Sequence, residues 1–417
     1  MAVVSSIIEI RPERARPPAV DVASYLRPGT LTLPVLPPLS LYVHYPWCVR
    51  KCPYCDFNSH EADTAGSREN EYLHALRADL EAALPLIWGR RIVSIFIGGG
   101  TPSLMSARAV DLLLSDIRAL VPLVPDCEIT LEANPGTFEA ERFASYRASG
   151  VNRLSIGIQS FDEEKLKALG RIHDRAQALA AIEIAQRHFD NFNLDLMYAL
   201  PRQTLDDLQA DVEQAIAARP PHLSLYQLTL EPNTVFAKYP PPLPDSDYAG
   251  EMHDWLEHRT AAAGYIRYEV SALAQAGREC RHNLNYWSFG DYLGIGAGAH
   301  SKISFPHRVV RQVRFRQPTS YLEHAGRGEF VAEGHEVSRA DLPFEFMLNA
   351  LRLADGVPAN SFAERTGLSL ASVEAELNEA ERRGLLIRNH LSLRATPLGL
   401  RFLTDLQALF LPAECTK

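Results

Sequence analysis

Short apolar, β-branched runs recur along the first half of the chain: Ser40–His44, Ile92–Ile97, Glu128–Glu132, Arg153–Ile158, Asn193–Met197 and His222–Thr229. Most are separated by stretches whose apolar residues return at helical spacing: Tyr72–Leu86, Ala107–Leu120, Phe138–Ala148, Ala176–Phe189 and Leu205–Ala218. Strands alternating with helices predict a parallel sheet with helical crossovers. Six units in about 190 residues fall short of the eight of a complete β/α barrel. The expected fold is therefore α/β, a partial (β/α)6 barrel over residues 39–240, open rather than closed.

The flanks read differently. Residues 1–38 carry seven of the 28 prolines and no sustained apolar period, which predicts a Pro-rich flexible extension. Residues 241–338 hold a helical pattern near Ser246–Ala263, then Tyr268-Glu269-Val270-Ser271, and a glycine-rich segment from Gly294 to Ser301. They read as an extension of the barrel. Residues 339–417 turn helical, at Asp341–Leu353, Pro358–Thr366 and Ser369–Arg383. A small hairpin at Leu385–Leu393 and a last helix at Leu398–Leu409 complete a winged-helix-like module.

Composition excludes several classes. Of 417 residues, 46% are hydrophobic and 22% charged, the balance of a globular protein rather than a disordered chain. No apolar run approaches the roughly 18 residues of a membrane-spanning helix. At the start, the basic residues follow a short apolar run, the reverse of a secretory signal, so a cytoplasmic location is expected. A net charge of −9 offers no field for a phosphate backbone. In the C-terminal module Glu364, Glu374, Glu376, Glu379 and Glu381 accompany the arginines. That mixture fits a lid or partner-docking domain better than a DNA reader, and nucleic acid is not an expected partner.

Three of the six cysteines fall within eight positions, Cys48, Cys52 and Cys55. A reducing compartment turns such clustering toward metal or redox chemistry. On one loop after the first strand, three thiolates can hold three irons of a [4Fe-4S] cube and leave the fourth open to a ligand. Structural zinc usually takes four ligands; His44 or His60 could complete such a site, though neither has the usual spacing.

C-x3-C-x2-C with Tyr54 before its last cysteine resembles the signature of the radical S-adenosylmethionine (SAM) proteins. The likeness continues at successive strand ends: Gly98-Gly99-Gly100-Thr101-Pro102, Glu132-Ala133-Asn134-Pro135, Gly157 to Phe161, and Asp195 to Pro201. Within that superfamily the chain is similar to the oxygen-independent coproporphyrinogen III oxidases and to their HemW-type haem chaperone subfamily. The oxidases carry a further cysteine two residues after the third, where this chain has Phe57. The segment His282-Asn283-Leu284-Asn285-Tyr286-Trp287 looks like the subfamily's haem-associated H-N-x-x-Y-W motif.

The resemblance implies a [4Fe-4S] cluster on Cys48, Cys52 and Cys55, whose open iron chelates SAM, and haem as a further ligand. Tyr42 and Tyr54 would lie near SAM. Gly99 and Gly100 would let backbone approach it, and Thr101 would bond its amino-acid part. Glu132 would face its amine, Arg171 its carboxylate, and Gln159 and Asp195 its ribose. His282, Asn283, Tyr286 and Trp287 would receive haem. Plainer readings stay open: a tight glycine turn, a loop cap at Asp195, a surface ion pair at Arg171, ordinary packing around His282. The implied function is haem transfer to acceptor haemoproteins, including membrane-associated ones, with an electron donor for the cluster. The alternative is coproporphyrinogen III oxidation. Catalytic turnover, productive SAM cleavage and homodimer formation stay undecided by the residues.

Overall fold

The structure is a computed structural model, in which residues 22–62, 68–137 and 140–412 are described. Six strands, β1 (Leu39–Tyr45), β2 (Ile92–Gly99), β3 (Leu123–Ala133), β4 (Arg153–Gln159), β5 (Phe192–Tyr198) and β6 (His222–Gln227), lie side by side in sequence order. Every neighbouring pair is parallel. The crossovers carry α1 (Glu69–Ala83), α2 (Ala107–Leu120), α3 (Ala140–Ser149), α4 (Arg175–His188) and α5 (Leu205–Ala217).

Three of these helices, α2, α4 and α5, begin where the sequence provides caps. Ser106 accepts from Ala109 N–H ahead of α2, and Asp174 with Gln177 and Thr204 with Asp207 form reciprocal capping boxes, which satisfy first-turn donors. In α2, Val110, Leu113, Leu114 and Ile117 face inward. Most residues of β1, β2 and β4 are buried, as a parallel sheet covered on both faces requires.

The barrel is open, as the short strand count predicted. Beyond β1 the sheet continues through β7 (Asp291–Ile295), parallel to β1, and then antiparallel through β8 (His300–Phe305), β9 (Arg308–Arg314) and β10 (Val331–Glu336). Beyond β6 the short antiparallel strands Ala272–Ala274 and Ile266–Arg267 end the twelve-stranded sheet. Much of the glycine-rich segment is thus strand, turning at Gly296 with φ 101°. A buried charge cluster secures this addition: Asp291 pairs with Lys302 at 2.8 Å and with Arg90 at 2.8 Å.

Two expectations need correction. The expected flexible extension, 1–38, is anchored in its described part at two leucines, though most of its other described residues are exposed. Leu31 and Leu33 are 3% and 5% exposed, and their N–H groups donate to His307 O and Pro306 O at 3.2 and 2.9 Å. The prolines set an extended path that two leucines anchor. Residues 1–21 lie outside the described residues. In the C-terminal module the last helix breaks at Phe402 into Pro397–Arg401 and Leu403–Ala408. Its sheet has three strands, because Val357–Pro358 joins the hairpin Leu386–Arg388 and Ser392–Ala395. Three of its arginines are neutralised locally: Arg382 and Arg383 bond Glu379, and Arg388 bonds Glu374 and Glu381. Among the described residues no helix is long and apolar enough to cross a membrane.

Leu31 and Leu33 share a core with Phe346, Phe362 and Leu377 of that module. Replacing Leu33 with Ala should therefore lower the unfolding free energy by about 2–5 kcal/mol in urea titrations. A leucine in a flexible tail would change it by almost nothing.

Candidate functional site

After β1 the chain runs through Pro46 into a two-residue strand, Trp47–Cys48, paired in parallel with His60–Glu61. The loop between them holds Cys52, Tyr54 and Cys55. Two backbone bonds continue the β1–β2 pairing past the sheet: Gly100 N donates to Tyr45 O at 2.7 Å and Thr101 N to Trp47 O at 2.8 Å. A Cβ on Gly100 would stand 2.5 Å from Trp47 O, and one on Gly99, where φ is 112°, 2.6 Å from the His44 ring. The two glycines thus admit the chain's own backbone and imidazole. Both also line the cavity described next, so these internal contacts are a second use of the same glycines.

The cysteine loop closes one end of a cavity of about 560 Å³ that runs through the barrel interior. Cys48, Cys52, Tyr54 and Cys55 line it together with Gly99, Gly100, Thr101, Glu132, Gln159, Arg171 and Asp195. Ser59 Oγ lies 3.9 Å from Cys55 Sγ, and burial pushes the Cys48 and Cys55 thiols up, with the neighbouring Thr101 and Ser59 hydroxyls opposing the rise at Cys48. No three His, Cys, Asp or Glu side chains among the described residues are gathered for a single metal ion. A cubane gives each thiolate its own iron and asks for a wider triangle. The zinc alternative loses its added ligand at His44: Nε2 donates to Asn58 O at 2.9 Å and Nδ1 accepts from Tyr42 at 3.1 Å.

Arg171 is no surface ion pair. Its Nη2 donates to Asn134 Oδ1 at 2.5 Å and to Gly157 O at 2.8 Å, and Nη1 lies 3.7 Å from Cys52 Sγ. Asn134 in turn donates to Thr101 Oγ1 at 2.8 Å, so cation, amide and hydroxyl form a chain beside the thiols. Gln159 holds φ at 68°, a left-handed conformation that costs a non-glycine residue about 1–3 kcal/mol. It sits where the β4–β5 register shifts. Asp195 does not cap a loop; its oxygens accept from Asn193 at 2.7 Å and Ser155 at 3.2 Å. Burial raises its pKa. Glu132 accepts from Gly99 N–H at 3.1 Å. Burial, then the charge of Asp195, pushes it up to about 8. Tyr42 is not on the cavity wall; it packs behind Phe96, ring centroids 6.4 Å apart.

The His282–Trp287 segment forms a seven-residue helix, Arg281–Trp287. Glu128, midway along β3 and level with Ser94 of β2, accepts from Arg281 N–H at 3.0 Å, His282 N–H at 3.4 Å and Cys280 Sγ at 3.5 Å. A carboxylate there meets the helix's unpaired first-turn donors and its positive end. At the other end Asn285 donates to Ser40 Oγ at 2.9 Å. The helix therefore crosses β1 at Ser40, β2 at Ser94 and β3 at Glu128, away from the strand ends that carry the cysteine loop. Side chains four apart share a face, and the motif divides accordingly. Asn283 and Trp287 line the cavity. His282 turns Nδ1 to Ser94 Oγ at 3.3 Å and rests against Phe96, 5.0 Å between centroids. Tyr286 packs on Tyr292 at 5.0 Å, away from the cavity. The four residues expected to receive haem together thus fall on two faces. Burial, then Arg153, lowers the His282 pKa to about 4, which leaves its imidazole neutral at pH 7.

Sequence reasoning missed Glu128, Ser94, Asn134 and the deep Arg153. Asn134 stands within the Glu132–Pro135 run, and Glu128 and Arg153 open strand runs, but nothing local assigns them a role; the groups around them come from distant parts of the chain.

A family model described as the radical SAM superfamily matches residues 42–215, and one described as the HemN C-terminal domain matches 337–402. The chain is 48% identical over 388 residues to the heme chaperone HemW of Haemophilus influenzae, covering 92% of this chain and all of that one. It is 48% identical over 378 residues to the heme chaperone HemW of Escherichia coli, covering 90% and 99%. The solved structure of the coproporphyrinogen III oxidase HemN of Escherichia coli superposes with a TM-score of 0.77 at 23% identity, covering 90% of each chain; this establishes the fold.

The raised Glu132 gives a pH test. The native state keeps a proton that the unfolded chain gives up above the ordinary carboxylate value of 4.5. That stabilisation is complete below 4.5 and disappears as pH rises through about 8. Urea titrations of the cluster-free chain should show this loss, and Glu132→Gln should remove it.

Proposed function

The chain belongs to the family of the heme chaperone HemW, and from that membership we propose that it carries a [4Fe-4S] cluster and SAM at the cysteine end of the barrel and binds haem for transfer to acceptor haemoproteins. One observation carries the reading: the cysteine loop and the His282–Trp287 helix close opposite ends of a single cavity.

The residues present suit each group. Cys48, Cys52 and Cys55 would hold the cluster, whose open iron supplies a chelation point for SAM. Burial keeps Cys48 and Cys55 protonated in the free protein, so loading releases protons. Arg171, fixed by Asn134 and Gly157, would orient the methionyl carboxylate, with Thr101 beside it. Glu132 accepts from Gly99 N–H and would face the ammonium group. Gln159 and Asp195 point at the same cavity and would bond ribose. Tyr54 packs over this end against Phe236, 6.3 Å between centroids, and screens it from water. Tyr42 acts indirectly, by holding the His44 ring under the Gly99 turn.

For haem, neutral His282 is the iron ligand this reading selects. Ser94 orients Nδ1, the kind of outer contact that fixes a ligating imidazole, and Nε2 has no hydrogen-bond partner among the described residues. Trp287 offers a flat apolar face, Asn283 a polar neighbour, and Tyr286 braces the helix through Tyr292. Arg352 stacks on Trp287 at 4.2 Å, so the C-terminal module serves as a lid over the motif. The reading places the chain in the cytoplasm, because its thiols must stay reduced. It includes an electron donor for the cluster, a membrane-associated acceptor and a homodimer. It assigns no nucleic-acid partner.

Anaerobically reconstituted protein should hold about four irons and four sulfides per chain and take up about one haem. Cys48→Ala with Cys52→Ala and Cys55→Ala should abolish the cluster. His282→Ala should weaken haem uptake about tenfold or more, read by optical titration, with iron and sulfide unchanged. Unaltered haem affinity would remove His282 from the site. With SAM and a reductant, coproporphyrinogen III should not be decarboxylated, since Phe57 stands at the oxidases' further cysteine. Turnover would replace this reading with the oxidase.

A further inference from the structure

Arg153 begins β4 and is 2% exposed. It lines the deep part of the cavity, about 20 Å of strand from Gln159 at the rim. Burial of a cation costs several kcal/mol unless a partner compensates. The other deeply buried cations have theirs: Arg314 pairs with Asp79 at 2.9 Å and Lys302 with Asp291 at 2.8 Å. Arg153 has no ion pair among the described residues, and its Nε is buried without a hydrogen-bond partner. Glu128 and Asp195 stabilise its charge from a distance, but neither reaches the guanidinium, because each is hydrogen-bonded elsewhere. Asp195 is held by Asn193 and Ser155, and Glu128 by the first turn of the motif helix. The positive charge of Arg153 acts on Cys280 and His282, at the start of that helix.

We propose that Arg153 is the receptor for a carboxylate of the ligand held in this cavity, namely a propionate of the tetrapyrrole. The inference rests on the haem reading above and adds a specificity-determining residue to it. A guanidinium meets a carboxylate through two parallel N–H donors, and here it does so in a site where an unpaired charge is costly. SAM also carries a carboxylate. Arg171 already serves the cysteine end of the cavity, whereas Arg153 lies beside the motif helix, so the propionate is the partner its position selects.

The test uses the full-length chain and two probes, haem and haem dimethyl ester, titrated optically. Wild-type protein should bind the free acid about tenfold or more tightly than the ester. Arg153→Gln should bind both alike and Arg153→Lys should recover part of the preference, while SAM affinity of the reconstituted protein stays unchanged. Equal wild-type affinity for acid and ester overturns the role of Arg153 and leaves the haem reading intact. Absence of haem binding by wild type overturns the haem reading itself. A variant that loses SAM affinity but keeps its haem preference assigns the carboxylate to SAM and overturns the proposal. The wild-type comparison decides even if the glutamine variant fails to fold.

Discussion

Two hydrogen bonds beyond the end of the sheet support the whole site. Gly100 N to Tyr45 O and Thr101 N to Trp47 O extend the β1–β2 register past the last strand residue. They press the cysteine loop onto the turn that follows β2. Neither would form with a side chain at Gly100, because Trp47 backbone occupies that space. From this contact follow the meeting of Cys48 with Thr101, the chain from Thr101 through Asn134 to Arg171, and the placement of Arg171 beside Cys52. Parallel strands then bring Glu132, Gln159 and Asp195 to the same interior from three further elements.

The cavity joins two unlike ends. At the cysteine end each polar group has its own fixed support: Arg171 is held beside Cys52 by Asn134 and Gly157, Glu132 by Gly99 N–H, and Asp195 by Asn193 and Ser155. At the far end a short helix closes the floor, capped by Glu128 and covered outside by the C-terminal module. Leu284 and Trp287 pack against that module's core, and Phe289 meets Phe346 at 5.7 Å. Haem reaching His282 from outside would have to displace those contacts. Passage through the barrel would have to move Phe96, which separates His282 from the cavity. In both cases the module and the motif helix are mechanically linked, which gives the lid a physical basis.

Much of this was legible in the residues. Ala107–Leu120 is a helix over the same span that its apolar spacing gives, and the six strand cores lie where the β-branched runs lie. Capping residues such as Ser106 and Asp174 mark boundaries because their side chains act within four positions. The cysteine spacing was equally local. Other features escaped because they depend on partners far along the chain. Leu31 and Leu33 look like linker residues until Pro306 and His307 come beside them. Asp291–Ile295 becomes a parallel partner of β1 only through some 250 intervening residues. The continuous helix expected near Leu398–Leu409 breaks because its two halves pack on different surfaces.

Sequence alone determined the class of fold, the order of its elements and the grouping of three thiols, since periodicity and short spacing act through neighbouring residues. Tertiary structure decided the rest. It gave Gly99 and Gly100 to His44 and Trp47, sent His282 and Trp287 to different faces, and left Arg153 unpaired inside the barrel. Those outcomes depend on which side chains from distant segments fill the same volume, and a closely packed interior settles that only once all of them are in place.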